Sequence, residues 1–276
     1  MTKAVQVDGI PIEYTDTGSG SPIVFVHGVY VTGALWDDVV TRLSSRYRCI
    51  APTWPFGAQS APVGDVDLSV PATVRRIGAF LQALDLNDVT LVANDTGGGI
   101  VLSALGSPPT GFDRVSRLVF TNCDSYEHFP PGSFKPLVKL CAVNRRLGAL
   151  ALRGLAGGAG QRFFINSTTR NGLAPDRYPA IFGGFATSGA VRAEAARFTA
   201  GLHPRFTLAA APAITSWPNP VLLVWGDSDR LFPLAHAQRL ADAFPNATLE
   251  VVPNSSTYVM LDDPDRAAAA IERFLG

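Results

Sequence analysis

The feature that most constrains this chain is a short stretch in which an apolar segment runs into three glycines. Val89 to Val92 are apolar or β-branched, the polar pair Asn94 and Asp95 follows, and residues 97–99 are all glycine. Residues 100–105 are then apolar and suited to a helix. The pattern predicts a strand, an abrupt turn and a helix. Asp95 would lie at the tip of the turn, where glycines allow close helix approach and helix N-terminal amides favour negative charge.

A side chain at such a tip has two interpretations. In the G-x-S-x-G elbow, which has the same strand–turn–helix order, the residue at the tip is the nucleophile. A carboxylate there would form its covalent intermediate as an ester of Asp95. The alternative is a helix cap, because an aspartate before a helix often accepts hydrogen bonds from the first amides. The elbow pattern alone leaves both interpretations open.

Strand-like and helix-like segments alternate on both sides of this elbow. This order predicts an α/β fold with a parallel sheet covered on both faces. The predicted segments are a hairpin of Val5–Val7 and Ile12–Thr15, buried strands at Pro22–Val26, Tyr47–Ala51, Arg117–Thr121, Val221–Trp225 and Thr248–Val252, and helices at Val70–Leu84, Leu234–Ala243 and Asp265–Leu275.

Between residues 124 and 217 the alternation stops. This segment has no good strand and is rich in glycine, proline, alanine and aromatic residues, with helices predicted at Phe134–Val143, Arg145–Leu155 and Val191–Leu202. We interpret it as a helical cap inserted into a core domain formed by residues 1–123 and 218–276. A second independent domain is the alternative, which the lack of a core-forming pattern of its own disfavours.

Composition and charge restrict the partners. The formal net charge is zero, which suggests neither nucleic acid nor an anionic membrane. Three cysteines, an odd number on or near apolar runs, suit reduced core thiols in a cytoplasmic protein. No signal peptide and no apolar stretch of about 20 residues is visible. No metal-ligand spacing and no P-loop lysine stands out, so we expect no metal or other cofactor and a monomer or homodimer.

Together these pieces resemble the α/β-hydrolase superfamily over almost the whole chain. The matching motifs are His27-Gly28 after an early strand, the ANDTGG elbow, the insertion, VWGDSDRLFP and LDDP. The aspartate at the elbow resembles the branch of haloalkane dehalogenases and epoxide hydrolases. The resemblance implies an α/β-hydrolase fold, Asp95 as nucleophile, an oxyanion hole from the amides of Thr96 and a residue near Val29, and Asp229 as the acid that orients a histidine.

The histidine itself is missing. In the family it lies about seven residues before a proline such as Pro264, and this count gives Thr257 here. Of the four histidines in the chain, His27 belongs to the HG turn, where the family histidine is structural, and His236 falls in a helix. His203 ends a cap helix, and His128 lies where the chain enters the cap and so could face the pocket.

This substitution has a chemical consequence. Hydrolysis of an ester on Asp95 needs a base to activate water, and a threonine hydroxyl is no base near neutral pH. We therefore consider Asp124, Glu127 and His128 as substitutes. Tyr126 and Tyr178 are candidates to protonate an epoxide oxygen, with ordinary half-buried aromatics as the alternative. The substrate pocket is expected to include His27, Tyr30, Asn94, Tyr126, Glu127, Phe163, Tyr178 and Tyr258.

Two positions differ from dehalogenases in particular. That family usually places a halide-binding tryptophan after the nucleophile, where this chain has Thr96, and an asparagine after HG, where it has Val29-Tyr30. Three hypotheses follow for a small hydrophobic organic substrate. They are an atypical dehalogenase-like or epoxide-hydrolase-like enzyme, a lyase, isomerase or cyclase with Asp95 as general acid or base, and a binder without catalysis.

Overall fold

An eight-stranded sheet forms the centre of the molecule. The computed structural model describes residues 2–276. The strands run in the order β1-β2-β4-β3-β5-β6-β7-β8 across the sheet. Their bounds are β1 Thr2–Val7, β2 Ile10–Thr17, β3 Pro22–Val26, β4 Arg48–Thr53, β5 Val89–Asp95, β6 Val115–Cys123, β7 Val221–Gly226 and β8 Ala247–Val252.

The strand directions bring the predicted site residues to one edge. Strand β2 pairs antiparallel with β1 and β4, and all pairs from β4 through β3, β5, β6 and β7 to β8 are parallel. The carboxyl ends of parallel strands meet at the same edge, which is where ligands bind in open α/β sheets. Asp95 ends β5 at the centre of this edge, with Asp124 following β6 and Asp229 three residues beyond β7.

Helices cover the sheet and fill the chain between β6 and β7. Those associated with the sheet are α1 Asp37–Leu43, α2 Val70–Ala83, α3 Thr96–Gly106, α11 Leu234–Ala243, α12 Val259–Asp262 and α13 Pro264–Leu275. Those between β6 and β7 are α4 Lys135–Val143, α5 Arg145–Ala156, α6 Gly158–Thr168, α7 Tyr178–Thr187, α8 Gly189–Ala200, α9 Arg205–Ala209 and α10 Ala211–Ser216. We call residues 124–217 the helical insertion.

The predicted α/β-hydrolase fold is confirmed, and so is the absence of strands in the insertion. The helix predicted from Val70 is α2, and Asp263 caps α13 by accepting a hydrogen bond from the Arg266 amide. Helices α6 and α7 were not predicted. The first begins at Gly157-Gly158, and the second contains Gly183 with a φ of 44°, so neither shows a continuous helical pattern in the sequence.

The three cysteines, Cys49, Cys123 and Cys141, are free and buried. Cys123 ends β6 directly beside the elbow, because it pairs with Asp95 in the sheet register. Within residues 2–276, no helix has both the length and the apolar character needed to cross a bilayer.

Candidate active site

The elbow holds Asp95 in a strained conformation. Its φ of 50° and ψ of −130° are disfavoured for a residue with a side chain. The glycines after it permit very close packing. A Cβ on Gly97 would lie 2.5 Å from the His27 carbonyl oxygen, and one on Gly98 would lie 2.3 Å from the Cβ of Cys123. Both distances are shorter than van der Waals contact, so the turn requires glycine at these positions.

Two backbone amides surround the Asp95 carboxylate. The amide of Val29 donates to Oδ2 at 3.3 Å, and the amide of Thr96 also stabilises the charged form. The side chain is nevertheless almost fully buried, and this burial raises its pKa to about 6, with a smaller contribution from the charge of Asp229. These are the two amides expected to form an oxyanion hole, and here they contact the carboxylate itself; the oxyanion-hole role stays a prediction.

Asp229 lies in a closed hydrogen-bond network. Its Oδ1 accepts from the amides of Leu231 at 2.7 Å and Phe232 at 3.1 Å. Its Oδ2 accepts from Asn122 Nδ2 at 2.8 Å and from the Thr257 hydroxyl at 3.0 Å. Burial raises the pKa of Asp229, and these four donors oppose the shift. The Thr257 hydroxyl is therefore a hydrogen-bond donor to the Asp229 carboxylate.

Asn122 was not predicted as a site residue. Its side-chain oxygen accepts from the Gly226 amide at 2.7 Å, and its side-chain nitrogen donates to the Gly226 carbonyl at 3.2 Å as well as to Asp229. It thus joins the ends of β6 and β7 and orients the acid. The signal that could have identified it is its position, because Asn122 is a polar residue at the carboxyl end of a buried parallel strand.

Several buried polar atoms around Asp95 have no hydrogen-bond partner among the described residues. They are the side-chain oxygen of Asn94, both carboxyl oxygens of Asp124 and the hydroxyl of Tyr258. The Asn94 amide nitrogen, by contrast, donates to the Thr257 carbonyl at 2.8 Å and so holds the loop after β8. Unpaired buried polar atoms are costly, and their concentration at one place marks a site for water or for a ligand.

Asp124 is a second buried carboxyl beside the elbow. Its amide donates to the Asp95 carbonyl at 3.3 Å, and its side chain is fully buried against the first turn of α3. Burial and the neighbouring Asp95 raise its pKa well above the usual value, which the nearby Thr96 hydroxyl only partly opposes. Burial therefore favours the neutral form of the Asp124 carboxyl over the charged form.

Asp95 opens into a narrow cavity of about 30 Å³. This volume holds a water molecule but is far below the roughly 300–1,000 Å³ of ligand pockets. A groove of about 550 Å³ along α2 and the end of α3 is larger, but none of the predicted site residues lines it. The lining of the small cavity is Val29, Asp95, Thr96, Pro130, Pro131, Phe134, Phe164, Thr168 and Leu231. Five of these belong to the insertion, which forms one wall.

Three of the predicted pocket residues are fully buried neighbours of the site. The imidazole of His27 contacts the Gly28 carbonyl at 2.7 Å and accepts from the Trp54 amide at 2.8 Å, while burial lowers its pKa to about 4. The hydroxyl of Tyr30 contacts that of Thr199 at 2.6 Å, and its ring stacks on Phe185. Tyr258 packs against Phe164, and burial raises the pKa of its phenol, with a contribution from Asp95.

Glu127 and His128 lie away from the cavity, so their prediction as site residues is corrected. Glu127 forms an exposed ion pair with Arg239 at 2.7 Å, and His128 stacks on His236 with ring centres 4.1 Å apart. The backbone explains this position, because Tyr126 has a φ of 47° and turns the chain outward after Asp124. The ring of Tyr126 is itself covered by the Arg239 guanidinium, 3.9 Å from its centre.

Phe163 and Tyr178 are also corrected as pocket residues. Phe163 is 69% exposed on the outer side of α6, whereas its neighbour Phe164 lines the cavity. Tyr178 is half-buried at the start of α7, where it packs against Phe182. His203, which is exposed, accepts a hydrogen bond from the Arg205 amide. Within residues 2–276, no group of three or more His, Cys, Asp or Glu side chains could hold a metal ion.

The mostly parallel sheet and the strained acidic elbow define a protein of the α/β-hydrolase fold. The chain belongs to the alpha/beta hydrolase family, whose model matches residues 23–270. It is 29% identical to haloalkane dehalogenase 2 of Mycobacterium tuberculosis over 95% of this chain and 91% of that protein.

Solved structures agree with this assignment. An alpha/beta hydrolase fold protein from Burkholderia ambifaria superposes with a TM-score of 0.83 at 25% identity, covering 98% of this chain and 96% of the other. The haloalkane dehalogenase DatA from Agrobacterium tumefaciens C58 superposes with a TM-score of 0.80 at 22% identity, covering 100% and 96%. The latter likeness shows the fold.

Proposed function

We propose that this member of the alpha/beta hydrolase family is an enzyme that attacks a small hydrophobic electrophile, a haloalkane or an epoxide, with the carboxylate of Asp95. The observation that carries the proposal is the position of this carboxylate. It sits at the strained elbow with Oδ2 on the Val29 amide and faces a mainly apolar cavity. Similarity to haloalkane dehalogenase 2 supports the same chemistry.

The first step needs only groups at the elbow. One carboxylate oxygen of Asp95 forms a bond to the substrate carbon while the bond from that carbon to halide or epoxide oxygen breaks. The electron pair leaves with the halide or with the epoxide oxygen, and the oxygen then takes a proton from water. The amides of Val29 and Thr96 hold the second carboxylate oxygen, which becomes the carbonyl oxygen of the ester.

The second step lacks its base. Thr257 has no basic group, burial disfavours the charged form of Asp124 that a base needs, and His128 lies outside the cavity. A positioned base is worth about 10²–10⁴-fold in such a step. We therefore expect the ester of Asp95 to form and to persist, with turnover limited by its hydrolysis.

A second candidate is proton transfer by Asp95. Its pKa of about 6 makes it a usable acid or base near neutral pH, and a second buried carboxyl with a raised pKa, Asp124, lies beside it. A lyase, isomerase or cyclase reaction needs no ester intermediate, so it would be unaffected by the absence of the histidine.

Intact-mass spectrometry after incubation with haloalkanes and epoxides separates these functions. We expect a mass increase equal to the alkyl or hydroxyalkyl group, mapped by peptide analysis to Asp95, and no increase in Asp95→Asn. Thr257→Val is the matched control, because it changes a buried side chain of the same network without removing the nucleophile. Asp95-dependent turnover to an alcohol or diol without an adduct would mean that another group hydrolyses the ester, whereas an Asp95-dependent eliminated or rearranged product would favour proton transfer. Neither adduct nor turnover would contradict the proposal.

A further inference from the structure

The formal net charge is zero, but positive and negative side chains are distributed unequally between the helical insertion and the rest of the chain. Residues 124–217 contain 11 Lys or Arg and 4 Asp or Glu, which leaves 12 and 19 for the remaining residues. From residue 128 to residue 175 there is no acidic side chain at all. The neutral total therefore predicts nothing about this surface, which is basic.

The cations of this surface have no ion-pair partners. Six cations are exposed on α4, α5 and α6, namely Lys135, Lys139, Arg145, Arg146, Arg153 and Arg162. None of them lies within 4 Å of a carboxylate among residues 2–276. Outside the insertion, ten of the 12 Lys and Arg side chains are paired. The cations outside the insertion are thus mostly compensated within the chain, as are Arg177 and Arg197 of the insertion, whereas the six on α4, α5 and α6 are left for an anionic partner.

The same helices carry most of the strongly exposed apolar side chains. Val143 is 79% exposed, Phe163 69%, Leu150 61% and Leu147 50%. On α5, Leu147 and Leu150 are three residues apart and so lie on one side of the helix, flanked by Arg146 and Arg153. Large exposed apolar side chains among unpaired cations are unusual on a surface that faces only water.

We propose that the exposed side of α4, α5 and α6 binds to an anionic lipid bilayer, with the cations at the headgroups and the apolar side chains inserted at the acyl boundary. This combination is what interfacial helices use, because apolar burial and electrostatic attraction then act together. A purely anionic partner such as nucleic acid would explain the cations but would leave the four apolar side chains exposed.

The position of the cavity agrees with this surface. Phe134, which lines the cavity, immediately precedes Lys135, and Phe164, which also lines it, immediately follows the exposed Phe163. The cavity wall is therefore formed by α6 and by the segment that leads into α4, next to the side chains that would contact lipid. Hydrophobic substrates dissolve in the bilayer, so docking would bring the cavity wall to their source. The proposal does not depend on which reaction Asp95 performs.

Vesicle flotation tests the binding directly. Full-length protein is mixed with phosphatidylcholine vesicles with and without about 30% phosphatidylserine at about 0.1 M salt. We expect the protein to float only with the anionic vesicles and to be released as salt is raised. Arg146→Glu/Arg153→Glu should lower the partition coefficient by at least roughly 25-fold, since each cation contributes about fivefold. Leu147→Ser/Leu150→Ser should lower it by about tenfold or more.

The matched control is Arg205→Glu/Leu208→Ser on α9, which removes an exposed cation and an exposed leucine elsewhere in the insertion. It should bind as the wild type does, and thermal melts should show that all variants are folded. Absence of binding to anionic vesicles would overturn the proposal, as would equal loss in the α9 control. A dimer in solution that dissociates in Arg146→Glu/Arg153→Glu, without vesicle binding, would overturn it in favour of an interface between two copies.

Discussion

The two carboxylates of the candidate site, Asp95 and Asp229, are both buried but are held in opposite ways. Asp229 accepts hydrogen bonds from two amides and two side chains, so its charge is compensated. Asp95 contacts the Val29 and Thr96 amides only and lies among buried polar atoms that have no partner. A group with spare hydrogen-bonding capacity can react, whereas a fully bonded group stabilises structure. The comparison supports the proposal that Asp95 and its surroundings perform the chemistry, while Asp229 and its network hold the structure.

The largest effect should come from removing the nucleophile. In Asp95→Asn we expect the rate of adduct formation to fall by at least about 10³-fold, because a neutral amide oxygen is a very poor nucleophile. The rate is measured by intact mass over time with a reactive haloalkane. In Thr257→Val the rate should stay within about twofold of the wild type. A similar loss in both variants would mean that the two halves of the site work as a unit, contrary to the comparison.

The next largest effect should be faster hydrolysis of the Asp95 ester when a histidine is placed beside Asp229. Thr257→His would present an imidazole to Asp229 Oδ2, the oxygen that now accepts from the threonine hydroxyl at 3.0 Å. We expect hydrolysis of the Asp95 ester to accelerate by about 10²–10⁴-fold, the usual contribution of a general base. Single-turnover decay of the adduct mass is the measurement.

Thr257→Gln is the control for this gain, because it adds a polar side chain of similar size that is no base. Adding Asp229→Asn to Thr257→His should remove most of the gain, since the imidazole would lose the acid that orients it. A folded Thr257→His protein with unchanged adduct lifetime would contradict the interpretation of position 257 as the place of the missing base.

The pH dependence of the rate of adduct formation should reflect the ionisation of Asp95 alone. Burial raises its pKa to about 6, and only the ionised carboxylate attacks carbon. The rate of adduct formation should therefore be constant above about pH 7 and fall tenfold for each unit below about pH 6. Measurement by quenched intact mass across this range gives the profile. A rate that rises as pH falls would instead favour Asp95 as a general acid and thus the proton-transfer function.

The sequence predicts the surroundings of Asp95 better than those of Asp229, for a physical reason. The elbow is local, since a buried strand, Asp95 and the glycines are consecutive and leave the backbone few alternatives. The network around Asp229 joins Asn122 and Thr257, which are far apart in the chain and meet only through the sheet register. Thr257 was placed opposite Asp229 only by its spacing from Pro264 in the family resemblance, and Asn122 was missed because its partners come from β7 and the loop after it.

The errors in the insertion have a similar cause. Glu127 and His128 were expected near the cavity because they follow Asp124 closely, but the positive φ of Tyr126 directs them outward. The lining residues Phe134 and Phe164 were missed because their inward direction depends on how α4 and α6 pack, which no local pattern encodes. The failure to predict α6 has the same cause, because tertiary packing stabilises this helix although its first turn is rich in glycine, which has a low helix propensity.

Asp95→Asn should also raise the stability of the fold, although it lowers activity. The pKa of Asp95 is about 6 in the folded protein against 3.8 in the unfolded chain, so stability falls as pH rises between these two values and stays at the lower level above about pH 6. This costs about 3 kcal/mol at neutral pH for a shift of this size. The neutral amide avoids the cost and tolerates the positive φ. We expect a melting temperature several degrees higher at pH 7.5, with roughly half that gain at pH 5.

The smallest effect should come from Thr257→Val beside Asp229, which should lower stability and leave adduct formation intact. Thr257→Val keeps the branched shape of a fully buried side chain but removes the hydroxyl that donates to Asp229 Oδ2. Loss of one hydrogen bond to a buried carboxylate costs about 1–2 kcal/mol, so urea unfolding at pH 7.5 should show lower stability. Adduct formation should remain. If Thr257→Val were neutral in stability while Asp95→Asn destabilised the fold, the functional and structural roles of the two carboxylates would have to be exchanged.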